Sequence, residues 1–418
     1  MKDRELLEAM FAEAVKAAEP INGIKKHLPT PPPNGRTVVI GAGKGAAQMA
    51  AALEQVWPGD LSGVVVTRYG YGCATQSIEI IEAAHPVPDA AGLAASERLF
   101  ATIADLKEDD LVIAMICGGG SALLPAPPQG LTLDDEIKLN EILLASGAPI
   151  SAMNVVRKHL SRIKGGRLGA ATRARVVSLI VSDIPGDYPA FVASGPTVPD
   201  PSTRHDALEI IEQYKLQLPP SMMEYLKTPD ADAPHPDDPC FASHEHFIIA
   251  SAAVSLEAAA EVARRQGVTP YILSDAIEGE ARDVAMVHAA IAREVSQRER
   301  PFAKPAVLLS GGETTVTLRA KGGKGGRNGE FALALALAID GETISALAAD
   351  TDGIDGSENN AGAFVDGTTA RRLRAAGLNG RQLLADNNSY QCFSALGDLF
   401  VTGPTGTNVN DFRAILIR

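Results

Sequence analysis

Thr37-Val38-Val39-Ile40-Gly41-Ala42-Gly43-Lys44-Gly45-Ala46-Ala47 is a β-branched run that breaks at glycine and passes into an alanine-rich segment. A run this short suits a buried strand, the glycines admit a tight turn, and alanine favours the helix that follows. The same succession recurs along the chain, with strands expected at 37–40, 63–67, 111–116, 176–181, 247–250, 271–273 and 307–309. Strands alternating with helical stretches are the pattern of βαβ units and a parallel sheet. Ahead of them, residues 3–18 place Leu6, Met10, Phe11, Ala14 and Val15 on one helical face, and the proline-rich stretch 29–33 stops that helix.

The fold class that follows is α/β in two domains. A Rossmann-like, mostly parallel sheet with flanking helices is expected over 1–240, with four strands in the first half. A smaller α/β domain with a mixed sheet is expected over 241–418. Residues 218–239, rich in Pro, Asp and His, read as a linker or a long surface excursion. Two such domains imply a ligand cleft.

Size and composition agree. A chain of 418 residues exceeds one comfortable core and suits two. Hydrophobic residues at 45% and charged residues at 21% are globular values, and aromatics at 5% leave Ala, Leu, Val and Ile to build the interior. The net charge of −13, from 38 basic and 51 acidic residues, repels nucleic acid, and no Lys/Arg run overrides it. Anionic small ligands must therefore be met by a few placed cations and N–H groups. Cys73, Cys117, Cys240 and Cys392 lie far apart without a CxxC pair, against structural zinc or a disulfide scaffold and consistent with a reducing compartment. No apolar run approaches a membrane span and the first residues hold no apolar signal core, so a cytoplasmic protein without a membrane partner is expected.

The chemistry is expected in the glycine loops. Gly41-Ala42-Gly43-Lys44-Gly45-Ala46 formally fits the dinucleotide pattern G-x-G-x-x-A. The next strand ends at Thr67-Arg68 without an acid for a ribose diol, although Arg68 would suit NADP, and Lys44 inside the loop suits a phosphate or carboxylate. Cys117-Gly118-Gly119-Gly120-Ser121 reads as a backbone nest for an anion. Asp183 and Asp187, in Ser182-Asp183-Ile184-Pro185-Gly186-Asp187, follow a strand. Either a general base with a metal ligand, or a capped turn, accounts for them.

Later come Ser310-Gly311-Gly312-Glu313-Thr314-Thr315 and the basic run Lys321-Gly322-Gly323-Lys324-Gly325-Gly326-Arg327-Asn328-Gly329-Glu330, the second opening a helix. An arginine at a helix start opposes the dipole unless it meets an anion. Asp350-Thr351-Asp352-Gly353-Ile354-Asp355 resembles a cation loop without EF-hand spacing, and either Mg²⁺ binding or a surface turn accounts for it. Thr407 and Asn408, in the tail 402–411, add a hydroxyl and an amide. His85, His244 and His246 show no metal or triad spacing and read as structural.

Together these segments resemble the glycerate 2-kinase family, whose C-terminal part is called the MOFRL domain, here at about 305–412. The resemblance is carried by Gly41-Ala-Gly-Lys-Gly, Ala84-His-Pro-Val-Pro-Asp, Cys117-Gly-Gly-Gly-Ser-Ala, Asn154-Val-Val-Arg-Lys-His, Lys164-Gly-Gly-Arg-Leu and Val181-Ser-Asp-Ile-Pro-Gly-Asp. Ser194-Gly-Pro-Thr, Ser310-Gly-Gly-Glu-Thr-Thr, Gly326-Arg-Asn-Gly-Glu, Asp352-Gly-Ile-Asp-Gly and Thr402-Gly-Pro-Thr-Gly-Thr-Asn continue it over essentially the whole chain. It implies ATP- and Mg²⁺-dependent phosphorylation of D-glycerate at its 2-hydroxyl by a monomer or homodimer. By the same resemblance Lys44 and Arg327 are functional, and Asp183, Asp187 and Asp352 match the family's acids without separate roles. Loop composition and the resemblance together give the expected assignment: Lys44, Arg327 and Asp183 catalytic, Gly43, Gly118, Gly119, Gly120, Ser121, Asp187, Glu313, Asn328, Thr407 and Asn408 binding substrate or nucleotide, and Asp187 and Asp352 on the metal. Members have also been called hydroxypyruvate reductases, which makes an NADP-dependent reductase the alternative.

Overall fold

The opening run forms β1 (Thr37–Ala42), buried at every residue in a computed structural model that describes residues 2–318 and 322–418. Lys321, counted above with the basic loop, lies outside the described residues. Val38, Ile40 and Ala42 join one apolar layer and Val39 the other. Helices cover both faces, which is why the strand reads as continuously apolar. Beside it lie β2 (Ser62–Arg68), β3 (Ile78–Ala83), β4 (Leu111–Cys117), β5 (Arg175–Val181) and β6 (Glu245–Ala250), in the order β3-β2-β1-β4-β5-β6. The pairings among the first five are all parallel.

This sheet has six strands where four were expected. β3 alternates Ile and Glu at an edge, where Glu79 meets Arg98 at 3.0 Å, so its apolar signal is thin. β6 comes from beyond the expected domain boundary. The strand order reverses between β1 and β4, the switch point at which doubly wound sheets form their ligand crevice.

The chain divides into two compact units, Pro20–Ile249 and Met1–Glu19 with Ala250–Arg418. That corrects the boundary expected at 240/241 and the place of the first helix. Helix Asp3–Ala17 buries Leu6, Leu7, Met10, Phe11 and Ala14. They pack among Leu256, Ala259, Leu309 and Phe412, with Phe11 edge-on to Phe400 at 4.9 Å. Its apolar face thus belongs to the later half of the sequence. The stretch 218–239 is no linker either. It folds into helix Pro220–Leu226 and short turns, and Met222, Leu226 and Ala231 pack with Leu139, Val156 and Ile211 of the neighbouring helices.

The second unit carries β7 (Thr269–Glu280), β8 (Ala306–Thr315), β9 (Ile344–Asp350), β10 (Gly362–Asp366), β11 (Leu399–Phe400) and β12 (Asp411–Ile417), ordered β11-β10-β9-β12-β8-β7. β7 and β8 are parallel and the remaining pairs antiparallel, a mixed sheet as expected. Because β12 runs against both β8 and β9, it begins at the edge where they end. Among the described residues no helix is long and apolar enough to cross a membrane.

Candidate active site

In the parallel-sheet unit, the loops that leave β1 and β4 are tied together through the Lys44 backbone. The Lys44 N–H donates to the Gly118 carbonyl at 2.8 Å, and the Lys44 carbonyl accepts from the Thr67 hydroxyl at 3.1 Å. This delivers the lysine stem to the glycine loop. A Cβ on Gly119, whose φ is 80°, would lie 3.0 Å from Lys44 Cγ and 3.1 Å from His85 Nε2. A Cβ on Gly118 would overlap the Asp183 carboxylate. The glycine triplet therefore makes room for Lys44, His85 and Asp183 to approach one loop from three directions.

Among the described residues no salt bridge involves Lys44. Burial, then Lys44 and Arg68, lower the His85 imidazole below its ordinary value, so it is neutral near pH 7. Burial pushes the Cys117 thiol up to about 12, with Asp183 adding to the rise, so this cysteine is no nucleophile.

Ser121, half-buried, ends a chain of polar groups that runs through buried Ser194 and Asn154. Its Oγ lies 2.9 Å from Ser194 Oγ, which donates to Asn154 Oδ1 at 3.1 Å. Arg157 donates from Nη1 to the same oxygen at 3.3 Å and from Nε to Asn140 Oδ1 at 2.8 Å. Ala193 and Ser194 hold φ of 52° and 61°, a left-handed pair that the surrounding bonds must maintain. The motif at 154–159 supplies that support. Asn154 enters the serine chain, Lys158 pairs with Asp200, and His159 Nδ1 meets the Ala231 carbonyl at 2.8 Å.

In the mixed-sheet unit, the strand directions bring Glu313 of β8, Asp350 of β9 and Asp411 of β12 to one edge, with Asp411 opposite Asp350 in the register. Helix Arg327–Ala338 begins there. Arg327 donates to Asp411 Oδ1 at 2.6 Å, Asp350 Oδ2 at 2.7 Å and Glu313 Oε1 at 2.8 Å. Burial alone would lower this guanidinium, but Asp411, Asp350 and Glu313 more than reverse that and hold it more basic than usual.

Asp411 also accepts from the Thr314 N–H at 3.0 Å and pairs with Arg413, which is fully buried. Asp355 receives the Asn328 and Gly329 N–H groups at 2.9 and 2.7 Å, capping the helix from a distant loop. Burial pushes Asp355 up to about 6 despite those donors. Burial likewise pushes Asp350 above the ordinary carboxylate range, Asp352 and Asp411 in the same direction, while the Arg327 guanidinium opposes the rise.

The expected site residues thus fall into two groups. Lys44, Gly43, Gly118, Gly119, Gly120, Ser121, Asp183 and Asp187 belong to the parallel-sheet unit, and Arg327, Asn328, Glu313, Asp352, Thr407 and Asn408 to the other. Asn328 is buried and donates to Asp411 Oδ1 at 2.8 Å, so it braces the cluster. The buried Thr407 hydroxyl donates to the Ala18 carbonyl at 3.1 Å, which uses it to anchor the first helix. Asn408 accepts the Asn410 N–H at 2.9 Å in an exposed turn.

His85 was read as structural, yet it sits beside Lys44, and Asp411 and Arg413 had no role. The available signals were the His-Pro-Val-Pro turn after β3 and two charges on alternate positions of an otherwise apolar strand. Among the described residues no three His, Cys, Asp or Glu side chains form a metal-sized group. Asp187 and Asp352 lie in different units, and Asp352 Oδ1 already accepts from the Ile354 N–H at 2.8 Å. Asp187, half-buried, offers the kind of oxygen donor that a Mg²⁺ would take.

Two family models match this chain, one over each half of the sequence. The model for a domain of unknown function (DUF4147) matches residues 6–227, and the MOFRL family model matches residues 306–411. A protein of Agrobacterium vitis that carries the provisional name hydroxypyruvate reductase is 50% identical over 99% of this chain and 94% of its own length. The glycerate 2-kinase of Pyrococcus horikoshii is 39% identical over 100% of this chain and 98% of its own. The crystal structure of a glycerate kinase from Thermotoga maritima matches with a TM-score of 0.89 at 37% identity, over 99% of each chain.

Proposed function

We propose that this chain, which belongs to the DUF4147–MOFRL family, is a D-glycerate 2-kinase that moves the γ-phosphoryl group of ATP to the 2-hydroxyl of D-glycerate, forming 2-phosphoglycerate and ADP. The observation that carries this reading is the similarity, over the full length, to a protein named for that activity. The glycine loop that gathers Lys44 and Asp183 supplies suitable chemistry.

Phosphoryl transfer asks for placement and charge neutralisation more than for covalent help. In this reading the Lys44 ammonium, which forms no salt bridge among the described residues, offsets charge on the transferring group. Asp183 orients the 2-hydroxyl and takes its proton as the new O–P bond forms and the bond to ADP breaks. The amides of 118–121 meet anionic oxygens. Arg327 uses three of its five N–H donors on carboxylates, which leaves two for an anion. Asp187 would hold a Mg²⁺, which when bound would supply further charge neutralisation on the phosphates.

The name of the Agrobacterium relative and the Gly41–Ala46 pattern favour a second reading, an NADP-dependent hydroxypyruvate reductase. Packing weighs against it. A Cβ on Gly43 would overlap Cys117, and one on Gly41 would overlap the Met115 carbonyl, so both glycines serve close contact with β4 rather than room for a pyrophosphate.

The test is an assay of purified protein with ATP, Mg²⁺ and D-glycerate, with the product identified by ³¹P NMR. 2-Phosphoglycerate and ADP are expected. NADPH oxidation with hydroxypyruvate and no ADP would establish the reductase instead.

A further inference from the structure

We propose that Ser121 is the residue that recognises the non-reacting 3-hydroxyl of the substrate, acting only as a hydrogen-bond acceptor because a chain of partners starting at Arg157 fixes the direction of its proton. This inference rests on the glycerate kinase reading above.

The direction follows from the donor inventory of each group. A guanidinium can only donate. Arg157 Nη1, 3.3 Å from Asn154 Oδ1, therefore settles which end of that amide is oxygen, since a reversed amide would set donor against donor. Arg157 is itself oriented. Its Nε donates to Asn140 Oδ1 at 2.8 Å, while Asn140 Nδ2 donates to the Glu136 carbonyl at 3.0 Å. Asn154 Oδ1 accepts only, so Ser194 must give it its single proton, at 3.1 Å. Geometry alone allows either serine to donate in the 2.9 Å contact between Ser194 and Ser121. With the Ser194 proton committed, Ser121 is the donor, and its own proton is committed too.

Toward anything held in the glycine loop, Ser121 Oγ then offers lone pairs alone. It cannot donate to a phosphate or carboxylate oxygen, so it pairs with a donor, an N–H or a hydroxyl, or with a cation, and glycerate, once its carboxylate is ionised, has only hydroxyl donors. Glycerate has two hydroxyls. The 2-hydroxyl gives up its proton in the reaction and needs a base, which a serine with its proton committed is not. The 3-hydroxyl keeps its proton and is the donor that fits. Asn154 is then a positioning residue, buried at 3% exposure and acting through Ser194.

The experiment measures binding of D-glycerate and of its 3-deoxy analogue, D-lactate, by calorimetry with a non-hydrolysable ATP analogue and Mg²⁺ present. Wild-type protein is expected to prefer glycerate by about 10- to 100-fold, the worth of one hydrogen bond and an acceptor otherwise left unpaired. Ser121→Ala should bring that preference to within about 3-fold. Asn154→Asp, which keeps acceptor oxygens for Ser194 and Arg157, should retain it, and Asn154→Ala should lose most of it. If Asn154→Ala does not fold, the half-buried Ser121 carries the test alone.

An undiminished preference in Ser121→Ala overturns the proposal. So does a change confined to the Mg²⁺ requirement, which would make Ser121 a cation ligand. Wild-type protein that shows the preference but forms no ADP when ATP replaces the analogue would instead sink the kinase reading, while the Ser121→Ala result alone would still decide whether Ser121 recognises the 3-hydroxyl of bound glycerate.

Discussion

Two basic residues stand on glycine-bounded loops, and the molecule treats them in opposite ways. Lys44 of the parallel-sheet unit has a backbone fixed at both ends and no salt bridge among the described residues. Arg327 of the mixed-sheet unit is met by Asp411, Asp350 and Glu313 at 2.6–2.8 Å. In the sequence both look like anion binders. What separates them is the opposite charge already gathered around each. The field of Lys44 is available to an incoming anion, whereas most of Arg327's is absorbed in joining β8, β9 and β12.

The strongest way to break this contrast is Arg327→Ala. Removing one partner of a buried ion pair strands the carboxylates, of which Asp411 is 0% and Asp350 7% exposed. A loss of about 3–5 kcal/mol in urea unfolding is expected. Arg327→Lys should recover only part, because one ammonium cannot fork to three oxygens. A variant as stable as wild type would mean that the cluster is not a cross-link.

Lys44→Ala should act the other way round. ATP-dependent kcat/KM should fall by about 10²–10³-fold. The unfolding free energy should stay within about 0.5 kcal/mol of wild type. Comparable losses in stability would erase the distinction between the two residues.

pH sharpens the contrast further. Asp355 is pushed up to about 6 in the folded protein. Since the unfolded value lies near 3.9, the folded state keeps a proton between pH 4 and 6 that the unfolded chain has released. This group therefore makes stability fall as pH rises through that window. Asp355→Asn, neutral throughout, should gain on wild type by about 2 kcal/mol between pH 4.5 and 6.5 when both are followed by urea unfolding.

The smallest effect is expected at the rim. Glu313 is 56% exposed, and Glu313→Gln should change stability by about 0–1 kcal/mol in the same measurement, far less than Arg327→Ala.

Much of the parallel-sheet unit was legible because its central strands are unbroken apolar runs ending in glycine, and Lys44, Gly118 and Asp183 stand at those ends. β3 escaped because an edge strand with two glutamates carries little apolar signal. Helix Pro220–Leu226 escaped because Met222 and Leu226 are sparse anchors in a proline-rich stretch. The state of Arg327 was not legible at all. Its partners come from β8, β9 and β12, and only strand order and register place them together. His85 was visible as a residue but not as a neighbour of Lys44, since the glycine that lets them meet belongs to the loop after β4.

The first helix imposes an order of events on biosynthesis. Its partners Leu309 and Phe412, and the Thr407 hydroxyl that holds Ala18, are all made after the whole of Pro20–Ile249. At roughly 5–20 residues per second, Leu6, Met10 and Phe11 wait tens of seconds for a surface to bury them. The parallel-sheet unit is complete well before then and can fold while the helix is still unpartnered. The nascent chain thus closes like a clasp, a segment made before Pro20–Ile249 being seated after it, and an apolar helix stays open to chaperones until β8 and β12 have been made.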